Sequence, residues 1–348
     1  MARLVPHSPT RRNALGITAL TFLNCLLPHT AAAAHAEAET ETRAQTDTAR
    51  SRPGPSGLAA PGVPWRTGLR LRHGTVIQSF AFDEAHHCLY ALQVMRGGIR
   101  LRGESRAYTH DERARRGDLC LNRLNLHGAL TGFMFLKGFG HGGAMGVERH
   151  GRGSRLWTEW DAHPASGYGR GVCWFRFVSG RTLSRSSARL TTYHPKPGSS
   201  SNSVTLDQRG RRLLLRYKAH GLPRFAVYDL ARFVARDYRP LADFAQPDAH
   251  LGLPFQGMAL HGNTLYQLMG SGYDALNPPE AGGNTYLSRI NWRTGTSHIT
   301  FPERTAPHLS PREPEGLAVR RSDGRLYYGF TQGASGNRRF SLYSKALR

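Results

Sequence analysis

One short pattern recurs five times along this chain, and it limits the fold more than any other feature. Each copy opens on a polar residue or a glycine, runs through a short apolar strand, turns at Gly, Asp or Asn, and reaches a Leu-Tyr pair or its equivalent. The copies are 78–83 leading to Leu89 and Tyr90; 145–148, a turn at 151–153, then Leu156 and Trp157; 202–207, a turn at Gly210, then Leu213 and Leu214; 256–260, a turn at 261–263, then Leu265 and Tyr266; and 315–319, a turn at Asp323 and Gly324, then Leu326 and Tyr327. The pairs begin at 89, 156, 213, 265 and 326, so the steps are 67, 57, 52 and 61, a mean of about 59.

A second motif keeps step with the first. Leu-Asn-Arg-Leu-Asn-Leu at 121–126 and Leu-Ser-Arg-Ile-Asn-Trp at 287–292 are near matches, with weaker partners at 174–177, 225–229 and 340–343. A hairpin, a turn and a closing strand, repeated in two agreeing registers, are the sequence mark of a β-propeller built from four-stranded blades. The expected fold is therefore all-β, a five-bladed β-propeller over residues 62–348. Unequal steps leave a β-sandwich, or two stacked β domains, as the competing arrangement. The 39 glycines and 20 prolines agree with many turns and disfavour a helical bundle.

In a propeller the innermost strands line a central channel, so the residues that open them gather at one mouth. In this register those residues are Gln78, Met145, Asn202, Gln256 and Glu315. Neutral amides bind sugar hydroxyls or phosphate oxygens by directional hydrogen bonds, and the one carboxylate can move a proton or hold a cation. The competing role for the amides is to tie one blade to the backbone of the next.

Residues 138–146 carry five glycines in nine positions, with His141 among them. Such backbone can pass close to a ligand and expose amide donors, while the imidazole is free to act as acid, base or ligand. Walker spacing is absent, so no nucleotide is inferred, and the plainer role is a flexible connection with a surface histidine. Just beyond, Leu-Trp-Thr-Glu-Trp-Asp at 156–161 sets Glu159 and Asp161 among aromatics, a mixture suited to sugar recognition by ring stacking. There Trp157 reads as core and Trp160 as a ligand candidate. Loops at 193–202 and 270–284 are further candidates for the same mouth.

Charge is the other prominent feature: 47 Lys plus Arg against 24 Asp plus Glu gives +23. Only Lys137, Lys196, Lys218 and Lys345 are lysines, and such an arginine skew also follows from codon usage in a GC-rich genome. No helix-turn-helix, zinc-finger or RNA-binding signature accompanies the charge, so an anionic surface is a better partner than nucleic acid. The twin Arg11 and Arg12, an apolar run from Ala14 to Leu27 and Ala-His-Ala at 34–36 read as a secretory signal, by the Tat route, over residues 1–36. About 14 apolar residues are short for a transmembrane anchor. Cys25 follows Asn24 rather than a small residue, which argues against a lipoprotein signal. Removing residues 1–36 takes away three arginines and no acid, so +20 remains of the +23. Residues 37–61, polar and then rich in Pro and Gly, read as a disordered linker. Cys88, Cys120 and Cys173 stand in strand-like runs and are either one disulfide with a spare thiol or three buried thiols.

The segment 137–148, the Leu-Trp-Thr-Glu at 156–159, Gln-Gly-Met-Ala at 256–259 and Pro-Glu-Gly-Leu-Ala at 314–318 resemble the five-bladed propeller family shared by teichoic acid biosynthesis protein C and receptor-binding proteins of phages that infect Gram-positive bacteria. The resemblance runs from about residue 75 to 347, and its Gly-His-Gly segment is its most specific part. It implies an extracellular protein acting at the cell wall, with teichoic acid or a related anionic polysaccharide as ligand, and leaves catalysis open; a monomer is expected.

Two functions are therefore expected to compete. As a binding module, the channel mouth would hold the polymer through Gln78, His141, Asn202, Gln256, Glu315 and Trp160. As a hydrolase, it would cleave a glycosidic or phosphodiester link with Glu315 paired to Glu159 or Asp161, or with His141 as general acid/base. No cofactor is expected, although the channel carboxylate leaves room for a divalent cation.

Overall fold

The recurring pattern folds as the two inner strands of each blade. A computed structural model describes residues 57–347, apart from 208 and 210. The export signal at 1–36, Cys25, the linker up to residue 56 and the turn at Gly210 lie outside the described residues.

Blade 1 consists of Ile77–Asp83, Cys88–Val94, Leu119–Asn125 and Leu130–Lys137, with Thr182–Ser184 added in parallel at its outer edge. Blade 2 is Met145–His150, Gly153–Ala162, Gly169–Phe175 and Thr191–Tyr193; blade 3 is Ser200–Asp207, Arg212–Ala219, Leu222–Asp229 and Ala242–Ala245. Blade 4 is Phe255–His261, Thr264–Met269, Tyr286–Asn291 and Thr296–Pro302. Blade 5 takes Pro311–Arg320, Arg325–Gln332 and Arg339–Ala346 from the C-terminal side and its outer strand, Val63–Leu69, from the N-terminal side. The second motif of the sequence is the third strand of every blade. The fold is a five-bladed β-propeller.

Each inner strand is apolar on both faces because it is sandwiched between neighbouring blades, so five hydrophobic clusters arise, one per blade junction. Phe139, Met145 and Phe175 pack against Leu92 and Leu121 between blades 1 and 2; Trp157 and Tyr193 meet Leu213 and Tyr228 between blades 2 and 3. Each such side chain contributes about 1.5–3 kcal/mol through removal of apolar surface from water. Near the axis the strands come closest, and a β-carbon at Gly257 would lie 2.8 Å from the backbone nitrogen of Leu317 in blade 5. That approach accounts for the glycine after Gln256, while Gly316 after Glu315 has a left-handed backbone (φ 73°) and a β-carbon there would lie 2.7 Å from the Phe80 ring of blade 1.

The ring is closed by antiparallel pairing of Val63–Leu69 with Arg339–Ala346, which completes blade 5 with strands from both ends of the propeller segment. Lys345 reinforces the closure: its buried Nζ donates to the carbonyls of Leu58 (2.8 Å) and Ala60 (2.6 Å) and pairs with the buried Glu303 at 2.6 Å. The last residues of the segment read as linker are thus packed on the propeller. Cys88, Cys120 and Cys173 are three buried free thiols. The helix α1, His110–Arg116, is inserted between the second and third strands of blade 1; among the described residues no helix is long and apolar enough to cross a membrane.

Candidate functional site

Bulges turn two of the strand-opening residues toward the axis. Gln78 lies between the register pairs Ile77 with Gln93 and Ser79 with Leu92, and Gln256 between Phe255 with Met269 and Gly257 with Leu268. Each is the extra residue of a β-bulge, which frees its side chain from the ladder and re-aims it. Both line a cavity of about 630 Å³ on the axis, with Ser201, Ser203, Arg216, Glu313 and Glu315 among its other walls. His141 and Gly143 from the glycine-rich segment close one side of it.

Blade 2 has no such bulge, and Met145 stays in the ladder opposite Thr158 with its side chain in the core. In blade 3 the irregularity spans two residues. Ser201 takes a left-handed backbone (φ 53°) and faces the cavity, which turns Asn202 away. Asn202 is 0% exposed; its Nδ2 donates to the carbonyl of Gly169 in blade 2 (3.2 Å) and to the hydroxyl of Ser199 (3.1 Å). It is the blade tie that was the competing role for these amides. Gln256 is partly of that kind, since its Nε2 donates to the carbonyl of Gly270 at 2.8 Å.

Glu159 does not reach the cavity. It is fully buried beneath the glycine-rich segment, where its carboxylate accepts from the backbone N–H groups of Gly142, Gly143 (3.2 Å) and Gly169 (2.7 Å). Burial raises its pKa, and the N–H groups around it oppose that rise. Gly140, Gly142 and Gly143 therefore make room for, and hydrogen-bond to, a buried carboxyl group. Asp161 and Trp160 also stand away from the axis. Asp161 pairs with Arg170 at 2.8 Å and borders a separate cavity with His163 and His194, while the Trp160 Nε1 donates to the carbonyl of Arg185 and its ring meets His194 edge-on at 5.0 Å. Glu315 thus has neither expected carboxylate partner inside the cavity.

Its neighbour there is Glu313. The two are alternate residues of one regular stretch of strand, opposite Gly329 and Thr331, so both point the same way. Burial raises both carboxyls, that of Glu315 well above 4.5, and the charge of Glu313 adds to the effect on Glu315. His141 lies 4.7 Å from Tyr168 between ring centroids, and burial lowers its pKa to about 4, which makes it a neutral imidazole at neutral pH.

The cations of the cavity were not picked out from sequence. Arg216 and Lys218 are alternate residues of the second strand of blade 3, on the same face, beside Ser201 and Ser203. The Arg216 guanidinium lies 4.2 Å above the Phe255 ring and donates from Nε to Gln246 at 2.7 Å. Desolvation lowers its pKa to about 10, so it keeps its charge at neutral pH. The Arg-x-Lys at 216–218 was the available signal, hidden among 43 arginines, and the two serines come beside it only through strand pairing. Among the described residues no group of three or more His, Cys, Asp or Glu is placed to hold a metal ion.

These features define a five-bladed β-propeller with a polar axial cavity that carries both fixed cations and uncharged hydrogen-bonding groups. The chain belongs to the family of the phage 5-bladed β-propeller receptor-binding platform domain, which matches residues 76–344. It is 27% identical over 290 residues to a Bacillus subtilis (strain 168) protein that carries the name major teichoic acid biosynthesis protein C, a match covering 80% of this chain and 61% of that one. It also overlies the tail fiber of Staphylococcus aureus phage P68 with a TM-score of 0.60 and 18% identity, over 82% of this chain and 52% of the other. The chain thus spans about three fifths and about half of the lengths of these two relatives.

Proposed function

We propose that the protein is secreted and binds an anionic wall glycopolymer of the teichoic acid class in the axial cavity. Arg216 carries this reading. The Phe255 ring and Gln246 hold its guanidinium in place, and its two Nη groups have no protein partner among the described residues. A pre-oriented guanidinium fork matches a phosphate far better than a mobile ammonium does. Lys218 likewise has no ion-pair partner among the described residues, and the hydroxyls of Ser201 and Ser203 with the amide of Gln78 suit polyol and sugar oxygens. The family, and relatives named for teichoic acid biosynthesis and for a phage tail fiber, support a polymer of the cell exterior as the ligand. The excess of positive charge adds long-range attraction that weakens with salt.

The test is retention on purified walls with and without their teichoic acid. Wild-type protein is expected to be retained only when the polymer is present, and Arg216→Gln to lose about tenfold or more in affinity. Equal retention on stripped walls overturns the ligand class. The hydrolase reading survives on one observation, the adjacent raised carboxyls of Glu313 and Glu315, a combination frequent at catalytic sites. New phosphomonoesters or reducing ends that appear with wild type and vanish in Glu315→Gln would establish it.

A further inference from the structure

The helix α1 is a wall between two cavities. His110 and Ala114, one turn apart, line the axial cavity, whereas Glu112, Arg115 and Arg116 on its other side line a groove of about 640 Å³. Five cations (Arg106, Arg115, Arg116, Lys137 and Arg185) stand in that groove against two carboxylates, Glu112 and Asp118. Both acids are already engaged, as Glu112 binds Arg106 and Asp118 binds the fully buried Arg113 at 2.8 Å, and of the cations Lys137 is paired with the buried Glu104 at 3.1 Å. Arg115 has no ion-pair partner among the described residues, and Arg116 and Arg185 have carboxylates only at 3.6 Å.

This is more than scattered surface arginine. The Tyr108 ring gathers three guanidiniums, those of Arg116 at 4.1 Å, Arg106 at 4.7 Å and Arg113 at 4.9 Å from its centroid, so like charges are held together around one aromatic ring. The wall itself is fixed. Thr109 and Glu112 form a capping box at the start of α1, and its C-terminal Gly117 adopts a left-handed backbone (φ 67°). Arg113 anchors the buried side through Glu104 at 2.6 Å and Asp118.

We propose that this groove is a second anion subsite, which takes a further phosphate of a phosphodiester-linked polyol chain whose neighbouring segment lies in the axial cavity. The proposal rests on the wall-polymer reading for the occupant of the axial cavity. A helix with its side chains is about 10–12 Å across, so the two sites are separated by a span that a polymer crosses and a single repeat does not. The gain on linking them is one of effective concentration, and it needs no new contact within either site.

The experiment measures binding of glycerol phosphate and of a long poly(glycerol phosphate) to the full chain, at low and high salt. Variants are Arg115→Gln with Arg185→Gln, the lysine pair Arg115→Lys with Arg185→Lys, and Arg216→Gln. The glutamine pair is expected to lose about tenfold in affinity for the long chain, to leave the single repeat unchanged, and to flatten the salt dependence. The lysine pair keeps the charge and is expected to keep most of the long-chain affinity, which separates charge from packing. If the glutamine pair weakens the polymer and Arg216→Gln does not, the groove stands and the axial reading falls. If only Arg216→Gln weakens it, the groove is overturned and the axial reading stands. If neither changes affinity, or wild type binds no such polymer, both are overturned.

Discussion

The carboxylate of Glu159 occupies the volume that a β-carbon at position 140 would need, while it accepts hydrogen bonds from the backbone of Gly142, Gly143 and Gly169. A side chain at Gly140 has no room because the carboxyl group is there, and that group is tolerated because the glycine backbone turns its N–H groups inward. Gly140→Ala is therefore expected to cost about 1–3 kcal/mol through overpacking. Glu159→Gln, which replaces one accepting oxygen with a donor facing a donor, should cost about as much. Urea unfolding checks both, and an unchanged midpoint for either would contradict this account of the loop.

Glu315 gives stability a pH dependence of defined sign. It is 3% exposed, and burial first, then Glu313, raises its pKa well above 4.5. In the unfolded chain the carboxyl ionises near 4.5, while in the folded chain it still holds its proton. Stability from this group is then present at low pH and is lost as pH rises from about 4.5 through the folded pKa. Glu315→Gln, which stays neutral, is expected to unfold at higher urea than wild type at pH 8 and to show no such gain at pH 4. A gap between the two proteins that is constant with pH would refute the assignment.

Asn202 and Gln78 separate structure from binding. Removing the Asn202 amide breaks its bond to Gly169 and leaves buried polar groups unpaired, so Asn202→Ala should destabilise by about 1–3 kcal/mol without altering polymer affinity in the folded protein. Gln78→Ala should do the reverse, because its Nε2 makes only a 3.3 Å contact with its neighbour's carbonyl and its side chain lines the cavity. Parallel thermal unfolding and wall-binding measurements decide, and equal effects of both variants on affinity would show that Asn202 reaches the ligand.

Much of the fold was legible because a propeller repeats itself. The pairs at 89, 156, 213, 265 and 326 mark the second strand of each blade, and the Leu-Asn-Arg-Leu-Asn type of segment marks the third. Outer strands were harder to see. Thr191–Tyr193 and Ala242–Ala245 are short edges with partly exposed residues, and the outer strand of blade 5 comes from Val63–Leu69, far from its partner in the chain. The site was read in part. Gln78, His141, Gln256 and Glu315 line one cavity, whereas Asn202, Glu159, Asp161 and Trp160 do not.

Composition and periodicity determined that this chain builds five equivalent sheets around an axis, because every blade must bury the same two faces and so carries the same apolar pattern. They also brought glutamine and glutamate to the start of inner strands. Tertiary structure alone decided which of those side chains meet. A one-residue bulge at Gln78 or Gln256 turns a side chain toward the axis, a two-residue irregularity turns Ser201 in and Asn202 out, and none at Met145 leaves it in the core. Side-chain direction in a strand has a period of two, so a shift of one residue reverses it, and composition carries no trace of that shift.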